Sequence, residues 1–343
     1  MEKLIFLFFI MSPLLLFAEP KAVVLKKWTL PFNFKVNKKR IGGLSGCTVS
    51  DNKIHFISDD RGNQGGPRIV SFDYDILKNE IIFENVSVIK INSGRHHNLD
   101  SKLNSKLVSK ILDLEGIGLS AKNLYLVSNE GDLNQKPRVM PEIFWLNSRG
   151  ERLNSILFPD MYLPEKSGKQ TKGIQNNLGF EGLVIDNELN KWAAILEAPL
   201  LQIPGKLSLV ESTLGGTTFE RVYFYPVPTE LGAQVFSGYF GVTDLLILDN
   251  DSYLVLERGI EASLAGITYK TQLCRAKKTN NANLIKDCFY SMNSDPKVTG
   301  DFKNGANFEG LCWVNNQKKL FITVSDNNFS KNEKTVFILY QLQ

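Results

Sequence analysis

The stretch Phe308-Glu309-Gly310-Leu311-Cys312-Trp313-Val314-Asn315, followed after a short turn by Lys319-Leu320-Phe321-Ile322-Thr323-Val324-Ser325-Asp326, decides the fold. Its first half sets an acid and a glycine at the head of an apolar run. Its second half is rich in β-branched and aromatic residues and ends in an acid. Each half has the length and composition of a short strand bounded by turn residues. The phrase occurs four more times: residues 42–49 (GGLSGCTV) with 53–60 (KIHFISDD), 114–120 (LEGIGLS) with 124–130 (LYLVSNE), 180–186 (FEGLVID) with 191–198 (KWAAILEA), and 242–249 (VTDLLILD) with 252–259 (SYLVLERG). The anchors Ser45, Glu115, Glu181, Asp244 and Glu309 recur at intervals of roughly 63–70 residues, the beat of a repeat architecture.

Working outward, each of the first four intervals holds two more strand-like runs, such as 68–75 (RIVSFDYD) with 80–91 and 267–276 with 286–292. The fifth has only 335–342 (TVFILYQL), and an unassigned run near the N-terminus, 23–32 (VVLKKWTLPF), fills the gap. Four-stranded units in series, the last completed by the first strand, predict an all-β chain folded as a β-propeller. The repeat count gives five four-stranded blades, with six open if one blade has diverged. The inserts 92–111 and 161–178 are expected to be loops, the first carrying a short helix over Ser101–Leu114.

With 343 residues, 43% hydrophobic and 22% charged, the chain has ample material for a core. A net charge of +4 with scattered Lys and Arg gives no nucleic-acid-binding stripe. The apolar run Leu4–Phe17, ending at Ala18-Glu19-Pro20, reads as a signal peptide of residues 1–18, leaving a domain of 19–343 that is exported, periplasmic or secreted. No later run approaches the roughly 20 residues of a membrane span. Oligomeric state is not legible. Export would let Cys47, Cys274, Cys288 and Cys312 form disulfides; Cys274 with Cys288, on consecutive strands, is the favoured bridge, and four buried thiols are the alternative.

In a blade, the start of the first strand and the end of the antiparallel second share one face. Glu115, Glu181, Asp244 and Glu309, with Ser45 in the fifth place, are therefore expected around one mouth of the channel. Asp59, Asp60, Glu130, Glu197, Glu257 and Asp326 are expected about them. Crowded oxygen donors without His or Cys suit a hard cation, and Ca²⁺ is the expected cofactor. Asp59, Asp60, Glu130, Glu197, Asp244, Glu257 and Asp326 are its candidate ligands. Glu115, Glu181 and Glu309 are candidate catalytic residues, one of them as general base. Arg61, Arg258, Asn327 and Asn328 are candidate contacts to an anionic oxygen of the substrate. The bland alternative is that these acids accept backbone N–H bonds from a neighbouring blade or cap their own turns. Catalysis by a serine nucleophile is disfavoured: GGLSGC lacks the GxSxG spacing. His55 sits among apolar strand neighbours, and only His96 and His97, beside Arg95, are placed to enter a site.

Taken in order, GGLSG with SDDRG, DLEGI with SNEG, GFEGL, LLIL with LVLERG, and NFEGL with SDNNF resemble the phytase-like family, described as having esterase-like activity of phytase. The resemblance runs from Gly42 to Phe329. It implies an exported propeller that hydrolyses phosphoester or ester bonds, with acids holding Ca²⁺ and Arg61 and Arg258 meeting a small anionic or ester substrate. The absence of a dense Lys/Arg cluster at the mouth speaks against inositol hexakisphosphate itself. The rival expectation is a non-catalytic ligand- or protein-binding propeller with structural Ca²⁺.

Overall fold

The computed structural model describes residues 20–343 except 63, 92–111, 229–236, 264–265, 301, 303–304 and 316. The expected signal peptide, the histidine pair with Arg95, and nearly all of the expected insertion helix lie outside the described residues. Among those described, no helix is long and apolar enough to cross a membrane.

The chain opens with β1 (Ala22–Leu30) and a small hairpin, β2 (Lys35–Val36) and β3 (Lys39–Arg40). Blade 1 is β4 (Leu44–Ser50), β5 (Lys53–Ser58), β6 (Arg68–Asp75) and β7 (Glu80–Lys90). Blade 2 is β8 (Leu114–Leu119), β9 (Tyr125–Asn129), β10 (Glu142–Leu146) and β11 (Arg152–Ser155). Blade 3 is β12 (Phe180–Asp186), β13 (Lys191–Leu196), β14 (Lys206–Thr213) and β15 (Arg221–Pro226). Blade 4 is β16 (Ser237–Ile247), β17 (Ser252–Ser263), β18 (Gly266–Lys278) and β19 (Leu284–Ser291). Blade 5 takes β20 (Phe308–Trp313), β21 (Leu320–Ser325) and β22 (Thr335–Leu342) from the C-terminus and β1 from the N-terminus, in the order β1-β22-β21-β20. The ladder Ala22↔Leu342 to Leu30↔Thr335 closes the ring. The blade count is five, with no sixth sheet of four strands among the described residues.

The first strands β4, β8, β12, β16 and β20 each touch the next around the axis, and β20 touches β4. The core lies between blades: Phe56, Phe72 and Phe337 fill the join of blades 5 and 1, Trp192 packs with Phe219 and Phe158 at that of blades 2 and 3, and Tyr225 and Tyr253 lie at that of blades 3 and 4. Two disulfides form. Cys274–Cys288 lies across β18 and β19, the favoured pair, and Cys47–Cys312 joins inner strands β4 and β20, stapling the first blade to the last.

Candidate functional site

Strand register places the acids. In blades 1, 2, 3 and 5 the first residue of the inner strand pairs with the end of the second, Leu44↔Ser58, Leu114↔Asn129, Phe180↔Leu196 and Phe308↔Ser325, and in the longer hairpin of blade 4 the matching pair is Val242↔Glu257. The ladder then shifts, a β-bulge that re-aims the next side chain. That residue is Ser45, Glu115, Glu181, Thr243 or Glu309. The residue just beyond the second-strand partner is Asp59, Glu130, Glu197, Arg258 or Asp326. Blade 4 thus runs one residue out of step with the sequence phrase. Thr243 stands where Asp244 was expected, and Arg258, not Glu257, joins the second ring.

The glycine after each bulge has a steric cause. A Cβ on Gly116 would lie 2.6 Å from the Glu181 carbonyl oxygen, and one on Gly310 would lie 2.2 Å from that of Ser45. Inner strands therefore pack backbone to backbone around the axis. In blade 4 this place belongs to Asp244, whose carboxylate instead accepts the N–H groups of Leu245 (2.8 Å) and Leu311 (2.6 Å). Burial raises its pKa well above the ordinary value in spite of those bonds. Asp244 is a tie between blades 4 and 5. Replacement by Ala is expected to cost about 1–3 kcal/mol for the amides left without an acceptor, read by urea denaturation, while leaving any thermal response to Ca²⁺ intact. Loss of that response would return Asp244 to the ligand set.

Residue Asp113 joins the rings because residues two apart on a strand share a face. Asp59, Asp113, Glu115, Glu130, Glu181, Glu197, Glu309 and Asp326 act on one another electrostatically. Asp113, Glu115 and Glu130 bring ligand oxygens within 4.8 Å of one another, as do Glu130, Glu181 and Glu197, so Glu130 belongs to both groups. Glu130 Oε2 and Glu181 Oε2 are buried without a hydrogen-bond partner, as are Asp59 Oδ1 and Asp326 Oδ2.

Two arginines answer this charge. Arg258, 7% exposed, donates to Asn307 (2.8 Å), to Glu309 and to Glu197 (2.7 Å). Arg61 is held by Asp113 and by Asn177 of the second insert. Burial works against the Arg258 charge, but Glu309 and Glu197 outweigh it and hold its pKa above the ordinary range. The remaining acids are under-compensated. Burial first, and then neighbouring acids, push Glu115, Glu130, Glu181 and Asp326 well above the carboxylate range. Asp59 is pushed up to about 7 by burial, Glu309 and Asp113, while Asp113 reaches about 6 through burial despite Arg61.

These shifts set a pH dependence. The native carboxyls keep protons that the unfolded chain releases near pH 4, so the native state binds more protons between about pH 4 and 7 and stability falls as pH rises through that window. With chelator present, the melting temperature is expected to be higher at pH 5 than at pH 7.5, and Ca²⁺ is expected to raise the neutral value more. A melting temperature that climbs from pH 5 to 7.5 without cation would contradict this.

Other sequence candidates are spoken for. Asp60 accepts from the N–H groups of Gly62, Gln64 and Gly66 and from Arg68, capping its own loop. Burial works against its charge, yet the Gln64 amide and Arg68 bring its pKa below the ordinary value. Glu257 is fully buried among Tyr225 (2.6 Å), Gln272 (2.7 Å) and Lys286 (2.7 Å). Asn327 Oδ1 accepts from Gly43 and Phe329 N–H, and Asn328 donates to Glu333. Asp60 and Asn327 follow the turn-capping alternative and Asn328 ties its own loop through Glu333, whereas Glu257, in the middle of β17, is held by side chains alone. Asp113 and Asn307 were missed, although their i, i+2 spacing to Glu115 and Glu309 was the available signal. His55 lies between Ser50 (3.0 Å) and Ser71 (2.7 Å), with its pKa lowered to about 4 chiefly by burial.

The family model described as Phytase-like, esterase-like activity of phytase, matches residues 39–329. This chain belongs to that family. The match leaves β1 and β22, the closing strands of the phytase-like ring, outside its bounds. Among curated proteins no relative matches. Solved structures that are similar include Bacteroides ovatus Xyloglucan PUL GH43B (9% identity, 91% of this chain and 54% of that one, TM-score 0.46). Others are the catalytic domain of a GH62 alpha-L-arabinofuranosidase from Coprinopsis cinerea (10%, 90% and 94%, 0.45) and a xylan beta-1,4-xylosidase from Bacillus halodurans C-125 (9%, 88% and 53%, 0.48). The chain spans about half the length of the first and third. No score here reaches 0.5, and the fold assignment rests on the five-sheet ring itself.

Proposed function

We propose that this phytase-like chain is an exported, cation-dependent hydrolase of ester bonds, phosphate esters first, acting at the acidic mouth. The observation that carries this reading is the pair of buried three-carboxylate groups sharing Glu130, with Oε2 of Glu130 and of Glu181 left unpartnered. Carboxylates so close in a poorly solvated site either stay protonated or take up a cation. An all-oxygen donor set without His or Cys fits Ca²⁺, held by Asp113, Glu115, Glu130, Glu181 and Glu197. When bound, such an ion polarises the ester and neutralises the charge developing on it. Glu115, which lies against Asp113, Glu130 and Glu181 and within reach of the Arg61 charge, takes the proton of the attacking water. Arg258 fixes Glu197 and Glu309 in place, and Arg61 does the same for Asp113. The two disulfides suit an oxidising compartment.

The test is release of phosphate or alcohol from monoesters, diesters and carboxylic esters, with Ca²⁺ and after chelation. Turnover is expected to need the cation and to fall roughly 100-fold in Glu115→Gln. One observation favours a second reading, a ligand-binding propeller with structural Ca²⁺: both arginines at the mouth are already engaged by carboxylates. No turnover on any ester, with Ca²⁺ still raising the melting temperature, would select it.

A further inference from the structure

Beside the rings, between blades 4 and 5, lies a cleft of about 410 Å³, within the size range of small-ligand sites. Its inner end is Asn307 and Asp326, so it opens directly on the acidic mouth. Tyr269 and Phe302 line its walls, and Ser330 and Asn332 stand among its polar groups. Aromatic walls with a few convergent polar atoms are the ordinary make-up of an organic-ligand pocket. Asp326, 1% exposed, has Oδ1 taken by the Asn328 N–H (2.9 Å) while Oδ2 is buried with no partner.

The charges at this cleft select against a polyanion. Glu333 is occupied on both oxygens, by Tyr269 Oη (3.2 Å) and Asn328 Nδ2 (2.8 Å), and remains an acid at the wall. Among the described residues lining it, Lys334, with Nζ 5.9 Å from the centre of the Phe302 ring, is the one base. Several phosphates there would bring acceptor oxygens against the acceptor oxygens of Asp326 and Glu333, with Lys334 the one cation among the described lining residues. Hydroxyl groups, by contrast, both donate and accept, and can satisfy Asp326 Oδ2 and the rim amide without adding charge.

We infer that this cleft receives the uncharged, hydroxyl-rich alcohol part of the substrate. Its purpose rests on the hydrolase reading above; its binding does not. Saturation-transfer NMR of the full chain with methyl glucoside and with myo-inositol is expected to show binding of at least one probe. Asn332→Trp, which fills the cleft from an exposed position, is expected to abolish the signal, and Tyr269→Ala to weaken binding at least fivefold, with melting curves confirming that both variants fold. Inositol hexakisphosphate without divalent cation is expected not to displace the probe. No signal from either probe, signals indifferent to Asn332→Trp, or displacement by the hexakisphosphate would overturn the inference. Ester turnover whose KM ignores Asn332→Trp would also remove the cleft while leaving the hydrolase. Probe binding without turnover on any ester would uphold the cleft and retire the hydrolase.

Discussion

Replacing Arg258 with methionine is expected to destabilise the protein by about 3–5 kcal/mol at neutral pH, the usual cost of breaking a buried ion pair from one side. The guanidinium serves three partners on two other blades, Asn307, Glu309 and Glu197, from a strand that offers no second cation. Its removal leaves Glu197 and Glu309 beside Glu181 with nothing to neutralise them. They can escape only by protonation, so the deficit is expected to shrink on going from pH 7 to about pH 4, where the unfolded chain binds the same protons. Urea denaturation at both pH values reads this directly. A lysine at the same position has one charged nitrogen and lacks the planar fork, and should recover only part of the loss. A deficit under about 1 kcal/mol at pH 7 would mean that the acids of blades 3 and 5 are compensated without Arg258, against the reading of the rings.

Removal of the Cys47–Cys312 bridge by paired alanine substitution is the other large effect. The bridge spans 265 residues of sequence, whereas Cys274–Cys288 spans 14. In the chain-entropy picture the longer loop contributes about 2–3 kcal/mol more, and a cost of about 2–5 kcal/mol is expected for its loss. It also joins the two inner strands on either side of the seam where β1 pairs with β22, so its loss leaves closure of the ring to non-covalent contacts, the β1–β22 ladder and the apolar join of blades 5 and 1. The midpoint of denaturation should fall further for Cys47→Ala/Cys312→Ala than for Cys274→Ala/Cys288→Ala. The reverse order would show that ring closure does not limit stability. In the first double variant, amides of β1 and β22 are expected to lose hydrogen-exchange protection before those of β12 and β13.

Much of the architecture was legible because it is written locally. A strand of six residues shows in its own composition, and five copies of one phrase leave few alternatives to a ring. The missing fourth strand of the last unit and the spare run at the N-terminus point to the same closure, which β1 and β22 make. The repeated Glu-Gly was legible as a signal, but its two letters have different causes. The glycine answers the approach of the next inner strand, and the glutamate is what the bulge turns toward the axis.

What the sequence by itself determined about this protein is the all-β class, a repeat of five units with a sixth left open until the five sheets were seen, closure by the two ends, and the gathering of acids at one face. These follow from periodicity and antiparallel pairing, which are properties of neighbouring residues. Only the tertiary structure decided which acids share the mouth. In blade 4 a bulge falls at Thr243, so the sequence pattern is one residue out of register, and one residue in a strand is a change of face. That slip sends Asp244 to the backbone of blade 5 and Glu257 into the wall beside Tyr225, and it brings Arg258 in among the acids. Partners drawn from separate blades, as with Arg61 and Asp113, are 52 residues apart in sequence and meet only because successive blades pack side by side around the axis.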